Sequence, residues 1–94
     1  RAPNVFPGSW QDFTFVWNTA KGYLELESLL GKFEHPTVQT LEFVTVYTPK
    51  GEAESKYSFR FQIGWPDRTI SAEDIQSFRD AFLAFAESNG LRIA

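Results

Sequence analysis

The strongest constraint on the fold comes from the segment Lys56–Gly64, in which hydrophobic and polar residues alternate without interruption. The hydrophobic positions are Tyr57, Phe59, Phe61 and Ile63, and the polar positions between them are Ser58, Arg60 and Gln62. Successive side chains of a β-strand point to opposite faces of its sheet. The pattern therefore predicts a strand whose aromatic face is buried and whose other face, which includes Arg60, is exposed to solvent.

Three further segments are predicted to be strands. Val38–Thr48 is rich in the β-branched and aromatic residues that favour strands, and Pro49–Ser55 is expected to form the hairpin loop after it. Leu91–Ile93 is expected to be a short last strand. Asp12–Asn18 alternates, with these residues on one face: Phe13, Phe15 and Trp17.

Two segments have the periodicity of helices. Tyr23–Phe33 places apolar residues at helical spacing, and Pro36 is expected to end this helix because the residue before a proline avoids helical geometry. Ser71 is predicted to cap a second, longer helix that stops near Gly90. The apolar stripe of that helix contains Ile75, Phe78, Phe82, Phe85 and Ala86.

The element order strand, helix, strand, strand, helix, strand predicts an α+β fold. Two split βαβ units of this kind form a ferredoxin-like βαββαβ sandwich, a four-stranded antiparallel sheet with both helices on one face. We expect one domain over residues 1–94, with residues 1–11 as an extended opening segment, and a chain without Met at its start to be a fragment of a longer protein. One core is expected to contain Phe13, Phe15, Phe59, Phe61, Phe78 and Phe82.

Several kinds of chemistry lack the residues that they need. The chain has no Cys, which excludes disulfides, thiolate metal ligands and cysteine nucleophiles and is compatible with a reducing compartment. Its one histidine, His35, is expected at the surface of a polar loop, without partners for a metal site. No Gly-rich phosphate loop and no apolar run of about 20 residues occur. We therefore expect no catalytic site, no bound metal and no membrane span.

The charge balance limits how strongly the chain can bind nucleic acid. Nine basic and twelve acidic residues give a net charge of −3, whereas dedicated nucleic-acid-binding domains are usually basic. Any RNA binding by the isolated chain is therefore expected to be weak.

Strand phase predicts which side chains share the exposed face of the sheet. Burial of Phe59 and Phe61 turns outward the intervening residues Lys56, Ser58, Arg60 and Gln62. On the neighbouring strand, burial of Val44 and Val46 turns outward Phe43, Thr45 and Tyr47. A tyrosine near Lys and Arg suits the stacking of an unpaired base and the binding of a phosphate. The alternative is a tyrosine that only covers the sheet, beside two cations that aid solubility.

Four segments, in order and at matching spacing, resemble one known family. SFRFQIGWPDRTIS at Ser58–Ser71 is similar to its A-F-R-L-x-F-x-x-P-x-R-T-L-T segment, and FPGSWQDFTFV at Phe6–Val16 to its F-P-x-x-x-R-D-L-A-x-V opening. FVTVY at Phe43–Tyr47 lies where the family has L-F-D-V-Y, and GLR at Gly90–Arg92 matches its close. The family is the C-terminal, ferredoxin-like anticodon-binding domain of phenylalanyl-tRNA synthetase β subunits.

The resemblance implies a set of residues that contact tRNA. In the family, the Asp and Tyr of D-V-Y and a Ser on the facing strand hold an anticodon base. Tyr47 matches the Tyr, whereas Thr45 stands at the Asp position and Lys56 at the Ser position. Gln11 replaces the Arg of the opening motif. These departures weaken the basis for base-specific recognition. The candidate tRNA-binding residues are Tyr47, Thr45, Lys56, Arg60, Arg68 and Arg92.

The resemblance also implies a function and partners. The domain would bind the anticodon stem-loop of tRNA-Phe and support the attachment of phenylalanine by a parent ligase in the cytoplasm. The rest of the parent chain would contact the synthetase α subunit, which adenylates phenylalanine with ATP and magnesium. No cofactor is expected in this domain.

A second function from another class stays open. A ferredoxin-like protein-interaction or amino-acid-sensing module would bind no RNA and would self-associate through the open sheet. The expected exposed strip Phe43–Tyr47 and the acidic net charge favour it. A sensor usually carries a Gly-rich ligand loop after the first strand, where only Gly22 occurs.

Overall fold

A computed structural model of the chain describes residues 6–94, which form four strands and two helices. In chain order these are β1 (Ser9–Asn18), α1 (Tyr23–Leu30), β2 (Val38–Tyr47), β3 (Glu54–Ile63), α2 (Ala72–Ser88) and β4 (Arg92–Ile93). The strands form one antiparallel sheet in the order β2-β3-β1-β4. The predicted ferredoxin-like α+β fold is confirmed.

One face of the sheet packs against both helices. β1 and β3 pair with Phe13 opposite Phe59 and Phe15 opposite Tyr57, so their aromatic side chains point to the same side. The helices contribute Leu26 and Leu30 from α1 and Phe78, Phe82 and Ala86 from α2 to the same core. The six phenylalanines predicted to share one core all do so.

Phe82 lies at the centre of this core. Its ring centroid is 4.6 Å from that of Phe13, 5.1 Å from that of Phe61 and 5.1 Å from that of Phe33. The Phe33 and Phe82 rings meet at 89°, an edge-to-face contact. Such aromatic pairs contribute about 0.5–1.5 kcal/mol each beyond the burial of their surface. The core is therefore stabilised by many coupled ring contacts.

The predicted cap of α2 is present. Ser71 accepts a hydrogen bond from the backbone of Asp74 at 3.1 Å, and the Asp74 carboxylate accepts one from the backbone of Ser71 at 3.0 Å. Trp65 Nε1 donates to the same carboxylate at 2.8 Å. The backbone bond from Ser71 is the largest of the causes that lower the pKa of Asp74. At the other end of α2, Gly90 has a φ of 65°, a conformation that glycine adopts without strain.

α1 is shorter than the sequence predicts, because it ends at Leu30 rather than at Phe33. The backbone N–H groups of Lys32 and Phe33 donate to carbonyls three residues back, those of Leu29 and Leu30. Bonds between residues three apart form a tighter turn than those of an α-helix. The turn follows Gly31, and glycine is a poor helix former. Phe33 still packs against the core, and Pro36 lies beyond the end of the helix.

β1 is longer than predicted. It begins at Ser9, and Trp10 and Gln11 pair with Gln62 and Phe61 of β3. Residues 9–11 therefore belong to the sheet and not to an extended opening segment, while residues 1–5 of that segment lie outside the described part. The last residues of β3 provide hydrogen-bond partners for the backbone of residues 9–11, which the local sequence of that segment does not reveal.

His35 lies in the predicted loop, where it is half-buried. Its ring stacks on Phe33 with centroids 6.4 Å apart and meets Phe78 edge-on at 5.9 Å. Nδ1 lies 2.7 Å from the Thr37 hydroxyl oxygen, and Nε2 lies 3.2 Å from that of Ser77. The histidine therefore joins the loop before β2 to α2.

Candidate nucleic-acid interface

The side of the sheet that faces away from the helices, which we name the open face, is ordered in rows across the strands. Paired residues of antiparallel strands point to the same side, so the register defines each row. From one end of the sheet to the other, the rows are Tyr47–Lys56–Val16–Arg92, Thr45–Ser58–Thr14, Glu42–Arg60–Asp12 and Thr40–Gln62–Trp10.

The first row brings three of the predicted binding residues together. Tyr47 is opposite Lys56, Lys56 is opposite Val16, and Val16 is opposite Arg92. Neighbouring strands lie about 4.8 Å apart, so the row is about 14 Å wide. Tyr47 is 63% exposed. Arg92 bonds the Glu54 carboxylate at 2.9 Å, whereas Lys56 has no ion-pair partner among residues 6–94.

The second row is made of hydroxyl groups. Thr45 is opposite Ser58, and Ser58 is opposite Thr14. The side-chain oxygens of Thr14 and Ser58 lie 2.8 Å apart, within hydrogen-bond distance. Thr45 thus lies beside Tyr47 on the open face, as predicted. It presents a hydroxyl, which both donates and accepts hydrogen bonds, instead of a carboxylate.

The third row holds Arg60 between two acidic residues. Arg60 donates two hydrogen bonds to Asp12, Nε to Oδ1 at 2.9 Å and Nη2 to Oδ2 at 3.1 Å. This bond is the main cause that lowers the pKa of Asp12 and raises that of Arg60. Glu42 adds its negative charge from the other side of Arg60. Arg60 lies on the open face as predicted, but a phosphate would have to compete with Asp12 for its guanidinium.

Phe43 does not lie on the open face, and its prediction is wrong. It is opposite Phe59, and its ring contacts Phe59 at 5.7 Å and Tyr23 of α1 at 5.4 Å. A β-bulge between Phe43 and Thr45 reverses the alternation there. Thr45 and Tyr47 therefore point to the open face although Phe43 points to the helices.

The two valines expected to be buried on β2 remain accessible to solvent. Val44 lies in the bulge and Val46 is opposite Tyr57 on the helix side, and both are more than two-fifths exposed. β2 is an edge strand, so no strand covers its outer side. The helices leave this edge of the inner face partly open.

Arg68 lies apart from the other candidate residues. It is in the loop between β3 and α2, at the opposite end of β3 from Lys56. Its guanidinium covers the ring of Trp65 at 4.1 Å and bonds Asp67 at 3.1 Å. The structure does not bring it into a row with Tyr47.

Gln11, which departs from the family pattern, is on the helix side of the sheet. It is opposite Phe61, and its side-chain oxygen accepts a hydrogen bond from Arg79 of α2 at 3.0 Å. Gln11 therefore contributes to a contact between the sheet and α2 and does not contribute to the open face.

Trp10 is an exposed aromatic residue of the open face that the sequence reasoning missed. It is 63% exposed, as much as Tyr47, and Arg60 lies over its ring at 4.7 Å. Extending the alternation of Phe13, Phe15 and Trp17 backward would have placed it on the open face. Treating residues 1–11 as an opening segment hid that signal.

The open face has no excess of positive charge. Within residues 6–94 its three cations, Lys56, Arg60 and Arg92, are equalled in number by three carboxylates, those of Asp12, Glu42 and Glu54. Within residues 6–94 no cluster of three or more His, Cys, Asp or Glu could hold a metal ion. None of the helices in that part is long and apolar enough to span a bilayer.

Comparison with known proteins finds two related sequences. Over 90 residues, 94% of this chain, it is 26% identical to the phenylalanine–tRNA ligase β subunit of Solibacter usitatus. Over 92 residues, 96% of the chain, it is 27% identical to the same subunit of Bifidobacterium longum. The chain is related to this subunit. It spans 12% and 11% of the lengths of these two relatives, and no protein-family model matches it.

Proposed function

We propose that the chain is a tRNA-binding module that contacts the anticodon stem-loop through the open face of its sheet. The observation that carries the proposal is the row Tyr47–Lys56–Val16–Arg92. It places an exposed aromatic ring directly beside an unpaired ammonium group. Unpaired RNA bases stack on aromatic side chains, and cations next to the ring hold the backbone.

The other residues of the open face suit contacts with RNA that do not depend strictly on the identity of the base. Thr45 and Ser58 offer hydroxyls beside Tyr47, and a hydroxyl can serve either a donor or an acceptor on a base edge. Stacking also accepts every base, because each has a π-face. The module would therefore position the anticodon loop more than it reads its sequence.

The electrostatics set the strength of this binding. Arg60 and Arg92 are already bonded to carboxylates, so Lys56 is the open-face cation that can take a phosphate without losing a partner. Few counterions would be released on binding, and the dependence of affinity on salt should be shallow. A parent protein would supply most of the affinity.

The proposal extends to the parent protein. The names of the two relatives support a role in a phenylalanine–tRNA ligase, which we propose to act in the cytoplasm. The chain would be an appendix of its β subunit and would need no cofactor. An α subunit would be the partner that activates phenylalanine with ATP and magnesium.

The test is the binding of a fluorescent tRNA-Phe anticodon stem-loop to the 94-residue chain at low salt. Tyr47→Ala should weaken binding about five- to a hundred-fold, because one stacked base contributes about 1–3 kcal/mol. Tyr47→Phe should bind like the parent, since the ring makes the contact. Leu24→Ala is the matched control, because it removes another highly exposed apolar side chain, from α1 on the other side of the sheet. Failure of the unsubstituted 94-residue chain to bind the stem-loop would refute the proposal.

Self-association through the open sheet is the competing function, and its structural support is reduced. Phe43, which was expected to extend the apolar strip of the open face, points to the helices. The four rows are dominated by polar and charged residues instead. Sedimentation of the chain at increasing concentration decides: a stable dimer that Tyr47→Ala dissociates would favour the interaction module.

A further inference from the structure

The open face carries a second exposed aromatic ring at the end opposite Tyr47. Trp10 belongs to the row Thr40–Gln62–Trp10, and Tyr47 belongs to the row at the other end of the same face. On β1 these two rows are marked by Trp10 and Val16, which at about 3.3 Å per residue lie about 20 Å apart. One base cannot touch both rings.

Trp10 is held in place on one side and open on the other. The guanidinium of Arg60 covers one face of the indole at 4.7 Å, and Asp12 fixes that guanidinium with two hydrogen bonds. Arg60 and Trp10 are diagonal neighbours on β3 and β1, a separation that long and aromatic side chains span. The indole nevertheless remains 63% exposed. Its ring is therefore orientated by the sheet without being covered.

Among residues 6–94, the surroundings of Trp10 do not form an apolar patch. Gln62 and Thr40 share its row, and Arg60, Asp12 and Glu42 form the next one. A protein-docking site centred on a tryptophan is normally dry and surrounded by residues that exclude water. A single large π-face among hydrogen-bonding groups and a cation suits a nucleobase and its phosphate better.

We propose that Trp10 is a second base-stacking platform, and that the open face therefore binds a single-stranded RNA segment of several nucleotides running from Tyr47 to Trp10. This inference rests on the proposed RNA binding and extends it to a residue and a length. Arg60, which stays bonded to Asp12, adds positive charge near the backbone phosphate of the base on Trp10. The polar rows between the two platforms contact the intervening nucleotides.

The experiment measures affinity for two fluorescent single-stranded oligoribonucleotides, one of about two nucleotides, too short to reach both rings, and one of about twelve, a length within the range of known single-strand sites. Trp10→Ala should weaken binding of the longer one at least about fivefold. Trp10→Phe should retain most of that affinity. For the shorter one, which can occupy only one platform at a time, the loss should be smaller. Leu24→Ala serves again as the exposed apolar control.

Tryptophan emission gives a second measurement that needs no change in affinity. Stacking of a base on Trp10 should quench part of the emission of the parent chain, and this part should be missing in Trp10→Phe, which retains Trp17 and Trp65. Thermal unfolding of both Trp10 variants should match that of the parent, since little of the side chain is buried.

The outcomes separate this inference from the proposed function. Loss of binding in Tyr47→Ala together with unchanged binding and unchanged quenching in the Trp10 variants would overturn the second platform alone. If the unsubstituted 94-residue chain bound no RNA, the second platform and the proposed function would both be overturned. Dissociation of a protein complex by Trp10→Ala, without any effect on RNA, would assign the ring to a protein contact and also refute the inference.

Discussion

The two faces of β3 are built from alternate residues of one strand, yet their side chains are held in different ways. On the helix side, Phe59, Phe61 and Ile63 are almost completely buried, and the two phenylalanine rings contact aromatic rings of β1, β2, α1 and α2. On the open face, Lys56 is exposed to solvent, and Arg60 contacts one carboxylate, that of Asp12, and one ring, that of Trp10. The strand thus has one face whose positions depend on each other and one whose positions are almost independent.

This difference separates the residues that determine the fold from those that can change with function. A close-packed face tolerates few changes in volume, because each ring has several neighbours. An exposed face tolerates substitution, since surface changes usually alter the free energy of unfolding by less than about 0.5 kcal/mol. Exposed residues such as Thr45 and Lys56 can therefore be substituted without losing the fold.

Replacement of a core ring should have the largest effect. Phe61→Ala should reduce the free energy of unfolding by about 3–5 kcal/mol, because it leaves a cavity beside Phe78 and Phe82. Urea unfolding followed by circular dichroism measures it. Gln62→Ala, the next residue on the open face, is the control and should change stability by less than about 0.5 kcal/mol. Equal losses for the two variants would show that the faces do not differ.

The cap of α2 should give the next largest effect. Ser71→Ala removes the acceptor for the Asp74 backbone N–H and should cost about 0.5–2 kcal/mol at neutral pH. The pKa of Asp74 is lowered in the folded state. Its contribution is therefore complete above the unfolded value near 3.8 and is lost as the pH falls through the lower folded value. Asp74→Asn should flatten that acid-dependent loss, as measured by urea midpoints across the acid range. A steep loss that persists in Asp74→Asn would assign it to other carboxylates.

Release of Arg60 should affect binding more than stability. Asp12→Asn removes the carboxylate that competes with phosphate, so RNA affinity should rise severalfold and the salt slope should steepen by about 0.7 for one added phosphate contact. The melting temperature should change little, because exposed ion pairs contribute little to stability.

A charge-matched control exists for this substitution. Asp67→Asn frees Arg68 in the loop before α2 in the same way but leaves the four rows unchanged. Equal gains in RNA affinity from the two variants would attribute the effect to net charge and not to the open face.

The smallest effect concerns Tyr23, the first residue of α1, whose ring packs on the helix side of the sheet. Tyr23 donates to Glu27 at 2.6 Å, and this bond raises the pKa of Tyr23 to about 12. A raised folded pKa means that the contribution is complete below the unfolded value of 10.0 and is lost as the pH rises from there toward about 12. In an alkaline titration by absorbance, Tyr23→Phe should remove the tyrosinate step near pH 12. Glu27→Gln should shift that step to lower pH, and an unchanged step would contradict the assignment.

The sequence predicted the elements whose residues alternate regularly, and failed where tertiary contacts override the local pattern. β3 and the cap of α2 follow from local sequence, because period-two alternation and a capping serine are local signals. The end of α1 depends on the turn that brings Phe33 to Phe82. The phase of β2 depends on a bulge that only its pairing with β3 defines.

The same distinction applies to the candidate site. Tyr47, Lys56 and Arg60 could be placed on one face from strand phase alone. The ion pairs of the open face could not be predicted, because Asp12 reaches Arg60 from the neighbouring strand and Glu54 reaches Arg92 across β1. Trp10 was missed since the start of β1 is fixed by the length of β3 and not by its own residues.

The irregular register of β2 also has a consequence for the solubility of the protein. β2 is an edge strand of ten residues, rich in Val and Thr, and a flat edge of this kind would template the addition of strands from other molecules. Two irregularities, between Val38 and Thr40 and between Phe43 and Thr45, interrupt its ladder. Bulges bend and twist a strand and so spoil its outer row of backbone donors and acceptors. The feature that turns Tyr47 to the open face thus also protects the chain from edge-to-edge aggregation.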